Sequence, residues 1–420
     1  MFKIFRLSVP VALPMMVVFL LLSTNVQAQS KYRLLVVITP AAYGVYGSAT
    51  RTTINNNVIS STNVRYTKSG INGSVELAGI VRVNYIESES IRKDIDSLRT
   101  WGNNPANIVS ILRALYSADL VTMIEDNQDN YGGIGNTPSI PSPLYAYTCL
   151  SHDAVNASPY VAAHEFGHNH RCLDDTVVNP GNTPVMYGHG FRMPNGIDGD
   201  VMSYAPIHQP WFSSPDSLYP AKTGTPRGTE LRCNAALVHR ENMPFVANYS
   251  SPQNNVTVSN RTWKASEYGD VMATDSIVTS GTDSLKDSSE VKLRAIKKVV
   301  INSGFYVARN GNLTISTGST VLAKRRPGDS GGTQQPSSSA KVVDAFSAKV
   351  SMAGKSIRVN LSMPISSPVT ISIVDLSGRL LLHESMIEQN AGQHEYLLGL
   401  REKNAADGDM ALQCRYLKNL

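Results

Sequence analysis

Two histidines four residues apart, His164 and His168, with a glutamate between them and a carboxylate ten positions after the first, constrain this chain more than anything else in it. On a helix of about 3.6 residues per turn, that spacing brings both imidazoles to one face, where they can hold a single metal ion. Glu165 lies beside them and can take a proton from an attacking water without itself ligating the metal. Ahead of them, Ser158 suits an N-cap and Pro159 the first helical position, which predicts a helix starting there. A helix supplies two ligands, so the third must come from elsewhere. Asp174 and Asp175 both qualify chemically, whereas His170 points to another face of the helix unless the helix has ended.

The stretch His164-Glu165-Phe166-Gly167-His168-Asn169-His170-Arg171-Cys172-Leu173-Asp174-Asp175 resembles the extended motif of the metzincin zinc peptidases, H-E-x-x-H-x-x-G-x-x-H. It is most similar to their reprolysin-type and peptidyl-Asp metallopeptidase branch, with which Gly167, Asn169 and Asp175 agree. Two positions depart: Arg171 stands where a glycine turns the chain, and Asp174 replaces the third histidine. A non-glycine residue in such a turn is strained. Asp200-Val201-Met202-Ser203-Tyr204 resembles the methionine turn beneath the metal, and Tyr187 to Arg192 and Trp211 to Pro215 resemble further segments of the branch. The resemblance runs from about residue 32 to 249. It implies an α/β (α+β) metzincin-like catalytic domain with a twisted mixed sheet and an active-site helix. It also implies Zn²⁺ held by His164, His168 and Asp174, with Glu165 as general base. Tyr204 then approaches the metal or steadies the oxyanion, or simply packs beside the turn. Met202 becomes a structural platform and His189 a wall residue rather than a ligand. Leu144 to Thr148 becomes the edge strand that pairs with an extended peptide substrate.

Met1 to Ala28 reads as a secretory signal peptide, with Lys3 and Arg6 at its positive end, an apolar run and Val26-Gln27-Ala28 as a cleavage site. Pro10 and Pro14 break that run, and no later apolar run spans a membrane, so the mature chain is expected without a transmembrane segment, secreted or on the cell surface. Export permits disulfides, and Cys149 is expected to pair with Cys233 or Cys172. Charged residues are only 17% of the 420, and the formal charge of +5 includes Lys3 and Arg6, so nothing favours a nucleic-acid partner.

After about residue 250 the texture changes to short β-runs between Asn, Gly and Ser turns. The expected organisation is a signal peptide over 1–28, the peptidase over 29–250, a β-rich accessory module over 251–325, a flexible linker over 326–340 and a β-sandwich over 341–420. The catalytic domain is thus followed by two small all-β modules. Val299 to Gly318 resembles a β-rich repeat of exported bacterial proteins, and Val369 to Leu380 resembles the type IX secretion sorting domain, which implies the secretion machinery as a partner. The accessory module invites surface or glycan attachment, with Trp263, Tyr268, Phe305 and Tyr306 as its aromatic residues. The expected function is a secreted zinc endopeptidase acting on protein or peptide. The departures at Arg171 and Asp174 leave an inactive binding or adhesion protein as the alternative.

Overall fold

The computed structural model describes residues 29–317, apart from 127–128, 130, 182, 219–225, 230, 303–304 and 309–310, and beyond these six strands between 346 and 416. The expected signal peptide over 1–28 and linker over 326–340 lie outside the described residues.

The apolar run from Tyr32 forms β1 (Ser30–Ile38), and Tyr32 to Ile38 are buried on both faces, as a central parallel strand requires. It pairs in parallel with β2 (Gly73–Arg82) on one side and β3 (Leu120–Glu125) on the other. Beyond β3 lie β5 (Tyr147–Ser151), parallel, and then β4 (Gly133–Gly135), antiparallel to β5. The order β2-β1-β3-β5-β4 leaves β4 on the outside. The strand expected at Leu144 to Thr148 is therefore corrected twice: Pro143–Tyr145 is a 3₁₀ turn, and the strand after it is interior.

Two helical layers cover this sheet. On one face Leu35 and Val37 pack against Ile95 and Leu98 of α3 (Ile91–Asn103) and Val109 and Leu112 of α4 (Ile108–Leu115). On the other, Leu34, Val36 and Ile38 pack with α1 (Pro40–Tyr46), α2 (Ser61–Lys68), Phe166 of α5 (Val161–Asn169) and Val238 of α6 (Ala235–Val246). The result is a mixed α/β architecture. Helix α5 begins two residues later than Ser158 and Pro159 suggest. The Ser158 carbonyl accepts from Val161 N–H at 2.9 Å, the cap position falls to Tyr160, and no side chain caps the helix.

This layering also overturns the disulfide expectation. Cys149, Cys172 and Cys233 are all buried and unpaired. Cys149 belongs to the α3/α4 side of the sheet and Cys172 to the α5 side, so the sheet itself stands between these two thiols.

Every described element after α6 is a strand. Strands β6 (Gln253–Ser259), β7 (Tyr268–Ser280), β8 (Glu290–Ala295), β9 (Lys298–Val300) and β10 (Asn312–Thr317) are joined by parallel pairings. Tyr268 pairs with Glu290 and Glu290 with Asn312, a step of 22 residues each time. Thr262, Ser284 and Tyr306 repeat the same step in a second sheet. The chain thus winds as a parallel coil, stacking Val271 on Leu293 on Ile315 and Trp263 on Leu285 on Val307. The coil joins the first sheet edge to edge, with Tyr268 opposite Ile80 and Gly269 opposite Gly79, antiparallel. Arg33, 1% exposed, fastens the junction through an ion pair to Asp270 at 3.2 Å and bonds to the carbonyls of Tyr116 and Asp270. A charge of this kind tolerates burial because each of the three guanidinium nitrogens meets an acceptor. Past β10, Phe346–Ala353, Ser356–Met363 and Gly392–Gly399 extend the sheet antiparallel, and Leu380–Gln389, Ser367–Asp375 and Met410–Tyr416 form a separate one. Among the described residues no helix is long and apolar enough to cross a membrane.

Candidate active site

Helix α5 carries His164, Glu165 and His168 and ends at once. Cys172 N–H donates to the Gly167 carbonyl at 2.9 Å and Arg171 N–H to that of His168 at 2.8 Å, the paired bonds of a Schellman ending. Such an ending needs a residue in the left-handed region, and Arg171 takes it at φ 80°. The strain of a non-glycine residue there is on the order of 1–3 kcal/mol. It is offset by the side chain, whose Nη2 donates to the Ser139 carbonyl at 2.6 Å.

The reversal returns Asp174 to the histidines. Its Oδ1 lies 3.2 Å from His164 Nε2 and 3.4 Å from His168 Nε2, and the three ligand atoms fall within 4.8 Å of one another. The tautomers are set from behind: His164 Nδ1–H donates to the Val201 carbonyl at 2.8 Å and His168 Nδ1–H to that of Cys172 at 3.0 Å. Both Nε2 atoms are then free to present lone pairs, the usual arrangement around a metal-ligating histidine. Asp174 Oδ1 is buried without a well-formed hydrogen bond. An orphaned carboxylate oxygen facing two imidazole nitrogens is what a divalent cation would satisfy. Without a metal, burial lowers the basicity of His164, but Asp174 and Glu165 outweigh it and push its pKa up to about 9. Burial likewise raises the Asp174 carboxyl, and the two histidines outweigh that and hold it below the usual carboxylate range.

Asp174 is itself held in place. Leu173 N–H donates to the Gly188 carbonyl at 2.8 Å and Gly190 N–H to that of Leu173 at 2.9 Å. His189 Nδ1–H donates to the Asp174 carbonyl at 2.8 Å, so this histidine braces the backbone behind the ligand atoms. Asp175 turns the other way. Its Oδ2 accepts from Tyr204 N–H at 2.7 Å and Arg192 Nη2 at 2.9 Å, tying the segment after Met202 to the returning chain. Met202 is wholly buried under α5, and a β-carbon at Gly167 would collide with its sulfur.

Glu165 is 5% exposed and its carboxyl is raised, first by burial, against the lowering pull of His164 and His168. The Tyr204 ring lies 5.9 Å from that of His164, edge to face, and is 54% exposed; burial and the charges of Asp174 and Glu165 push its hydroxyl up to about 12. His170 turns into the core instead, with Nδ1 bonded to the Phe166 carbonyl at 2.7 Å.

The element that sequence reading missed is β4. Gly133-Ile134-Gly135 reads as part of a glycine-rich turn, yet it is the edge strand beside the site. A β-carbon at Gly135 would strike the Glu165 carbonyl and come within 3.1 Å of His168 Cβ. Only glycine lets the edge lie this close to the helix.

Behind the site His239 is wholly buried between Phe212, Tyr66 and His170, ring centroids 4.2, 5.2 and 4.7 Å away, and neither of its nitrogens has a partner. Burial, then His170, holds its pKa well below the ordinary value. It is neutral in the fold, while the unfolded chain takes up its proton near pH ~6.5, so the stability it permits at neutral pH is lost as pH falls below that value. The limiting slope is about 1.4 kcal/mol per pH unit. Urea unfolding at pH 7 and pH 5 should show His239→Leu losing less stability than the parent on acidification, by about 1 kcal/mol per unit. Parallel acid limbs would show that His239 does not titrate on unfolding.

Residues 23–172 match the family model for reprolysin-like metallopeptidases of family M12B, a span that contains His164, Glu165 and His168 and stops short of Asp174 and Met202. A peptidyl-Asp metalloendopeptidase of Xanthomonas campestris is 27% identical over 203 residues, covering 47% of this chain and 46% of that one. One of Stenotrophomonas maltophilia is 29% identical over 163 residues, covering 38% of this chain and 37% of that one. The chain therefore spans less than half the length of the curated relatives it matches. Among solved structures, a chaperone-substrate complex overlaps 53% of this chain and 35% of that one with a TM-score of 0.44 at 22% identity. The N-terminal half of the chain thus resembles the reprolysin-type metallopeptidases, and that family implies a catalytic metal.

Proposed function

We propose that this chain is an exported zinc endopeptidase in which His164, His168 and Asp174 hold the metal and Glu165 is the general base. One observation carries the reading: two histidine Nε2 atoms, each with its Nδ1 committed to a carbonyl, converge on an orphaned carboxylate oxygen beside a buried glutamate. When bound, the zinc would polarise the scissile carbonyl and acidify the attacking water.

The chain's own residues do the rest. An extended peptide adds to the open edge of β4, which fixes the scissile bond over α5 by main-chain hydrogen bonds. Glu165 takes a proton from the water and passes it to the leaving amine, and the burial that raises its carboxyl favours holding that proton between the two transfers. Tyr204, half-exposed with its ring beside that of His164, would donate its hydroxyl to the developing oxyanion. The relatives are named for aspartyl peptide bonds, and we extend that preference to this chain.

Around this centre, the leader over 1–28 would direct export and the region over 341–420 would engage secretion machinery. The coil over 251–325 would serve attachment to a surface or glycan. The test is direct: wild-type protein, dialysed and assayed for metal, should hold one zinc per chain and cleave a protein substrate, and 1,10-phenanthroline should abolish cleavage until zinc is restored. A protein that retains no zinc and cleaves nothing would be a binding protein instead.

A further inference from the structure

The arginine in the turn after α5 plays no part in this chemistry. A glycine would make the same turn without strain, yet the chain keeps Arg171 there at φ 80°. Its part-buried side chain gathers three segments distant in sequence. Nη2 donates to the Ser139 carbonyl at 2.6 Å and to that of Pro184 at 3.4 Å, and Nη1 donates to Asn242 Oδ1 of α6 at 3.4 Å. The bond to Ser139 is the short one, and its charged donor makes it one of the stronger kind. Asn242 is a firm anchor on the other side: it is buried, and its Nδ2 donates to the Val238 carbonyl at 2.8 Å.

Ser139 belongs to the stretch by which the chain leaves β4. Residues 137–141 make no main-chain-to-main-chain bond among the described residues. Side chains from the end of α5 hold the stretch instead. Asn169, buried, donates through Nδ2 to the carbonyls of Asn136 at 3.0 Å, Tyr147 at 3.1 Å and Tyr145 at 3.3 Å. Its Oδ1 accepts from Thr148 Oγ1 at 2.7 Å. Arg171 then takes the carbonyl three residues beyond Asn136. β4 itself is short, with glycine at both ends, and brings little stiffness of its own. We infer that Arg171 is a positioning residue: it latches the segment after β4 to the end of the helix that carries His164 and His168, so the edge that receives an extended peptide is in place before the peptide arrives. The inference rests on the peptidase reading above, and it adds the residue that holds the edge. A preformed edge spares the substrate the cost of ordering it, and only a substrate long enough to lie along β4 gains from that.

Two measurements on the full chain test it. Amide exchange across 133–136, read by mass spectrometry, should be about tenfold faster in Arg171→Gly than in wild type, the scale of one lost charge-assisted bond. That readout needs no activity. The second compares kcat/KM on an extended peptide that spans β4 with kcat/KM on a peptide cut short on either side of the scissile bond. Arg171→Gly should lose about tenfold on the extended peptide, chiefly through KM, and less on the short one, with zinc content unchanged. Arg171→Asn, which accepts the left-handed turn but is too short to reach Ser139, should behave like Arg171→Gly. Arg171→Lys keeps the charge without the planar fork and should retain part of the advantage of the long peptide. Unchanged exchange in Arg171→Gly, or equal losses on both peptides, would overturn the assignment and mark Arg171 as scaffold. Loss of zinc would overturn it too, by placing the effect of Arg171 at the Asp174 turn. A wild type that cleaves neither peptide would overturn the peptidase reading, and the positioning role with it, whatever the exchange shows.

Discussion

Asp174→Ala should leave a folded chain that no longer retains zinc. Three ligand atoms converge in the site, two from α5 and the third from the chain that returns after it, so removing the third takes away metal binding while leaving the helix sequence unaltered. Even an outer hydrogen-bond partner of a metal ligand is worth about 10–100-fold in affinity. Loss of a ligand itself should therefore weaken zinc binding by more than about 100-fold and take the activity with it. Asp174→His, which rebuilds a three-histidine set on the same backbone, should recover zinc. The backbone is well fixed for the exchange, because His189 holds the Asp174 carbonyl and the preceding Leu173 is bonded through its main chain to Gly188 and Gly190. Zinc content after dialysis against a weak chelator reads the result. If Asp174→Ala keeps one zinc per chain at unchanged affinity, the third ligand lies elsewhere.

The site was more legible in the sequence than the scaffold around it, for physical reasons. Metal-ligand spacing on a helix is set by helix geometry alone, so His164, Glu165 and His168 can be placed without knowing their neighbours. The turn at Arg171 was readable as a strained position, and the structure shows the compensation that no local pattern contains, a side chain bonded to Ser139. β4 was not legible. Its glycines carry no β-propensity, and they are there because α5 passes too close for any side chain, a demand made by residues thirty positions on. The coil after residue 253 hid differently. Its 22-residue step shows only in which residues stack, such as Val271, Leu293 and Ile315, while the turns between them vary. The cysteines misled because export permits disulfides but does not bring thiols together, and here a sheet keeps Cys149 and Cys172 apart.

Glu165→Gln should lower kcat/KM by about 10²–10⁴-fold, the range for a lost general base, with zinc content unchanged. The amide is nearly isosteric, so α5 and the β4 edge that lies against Glu165 need not move, and the histidines keep their carbonyl partners. What disappears is the buried carboxylate that, in the proposed scheme, takes the proton and returns it. The carboxylate is buried and its pKa already raised, so its charged form is destabilised; a neutral amide should fit the site at least as well and leave thermal stability equal or higher. This combination distinguishes catalysis from scaffolding: activity falls by orders of magnitude while Tm holds or rises and zinc remains. A Glu165→Gln protein that loses zinc together with activity would make Glu165 part of the metal shell. One that cleaves at the wild-type rate would place the base on another residue, and would leave the buried carboxylate without a function.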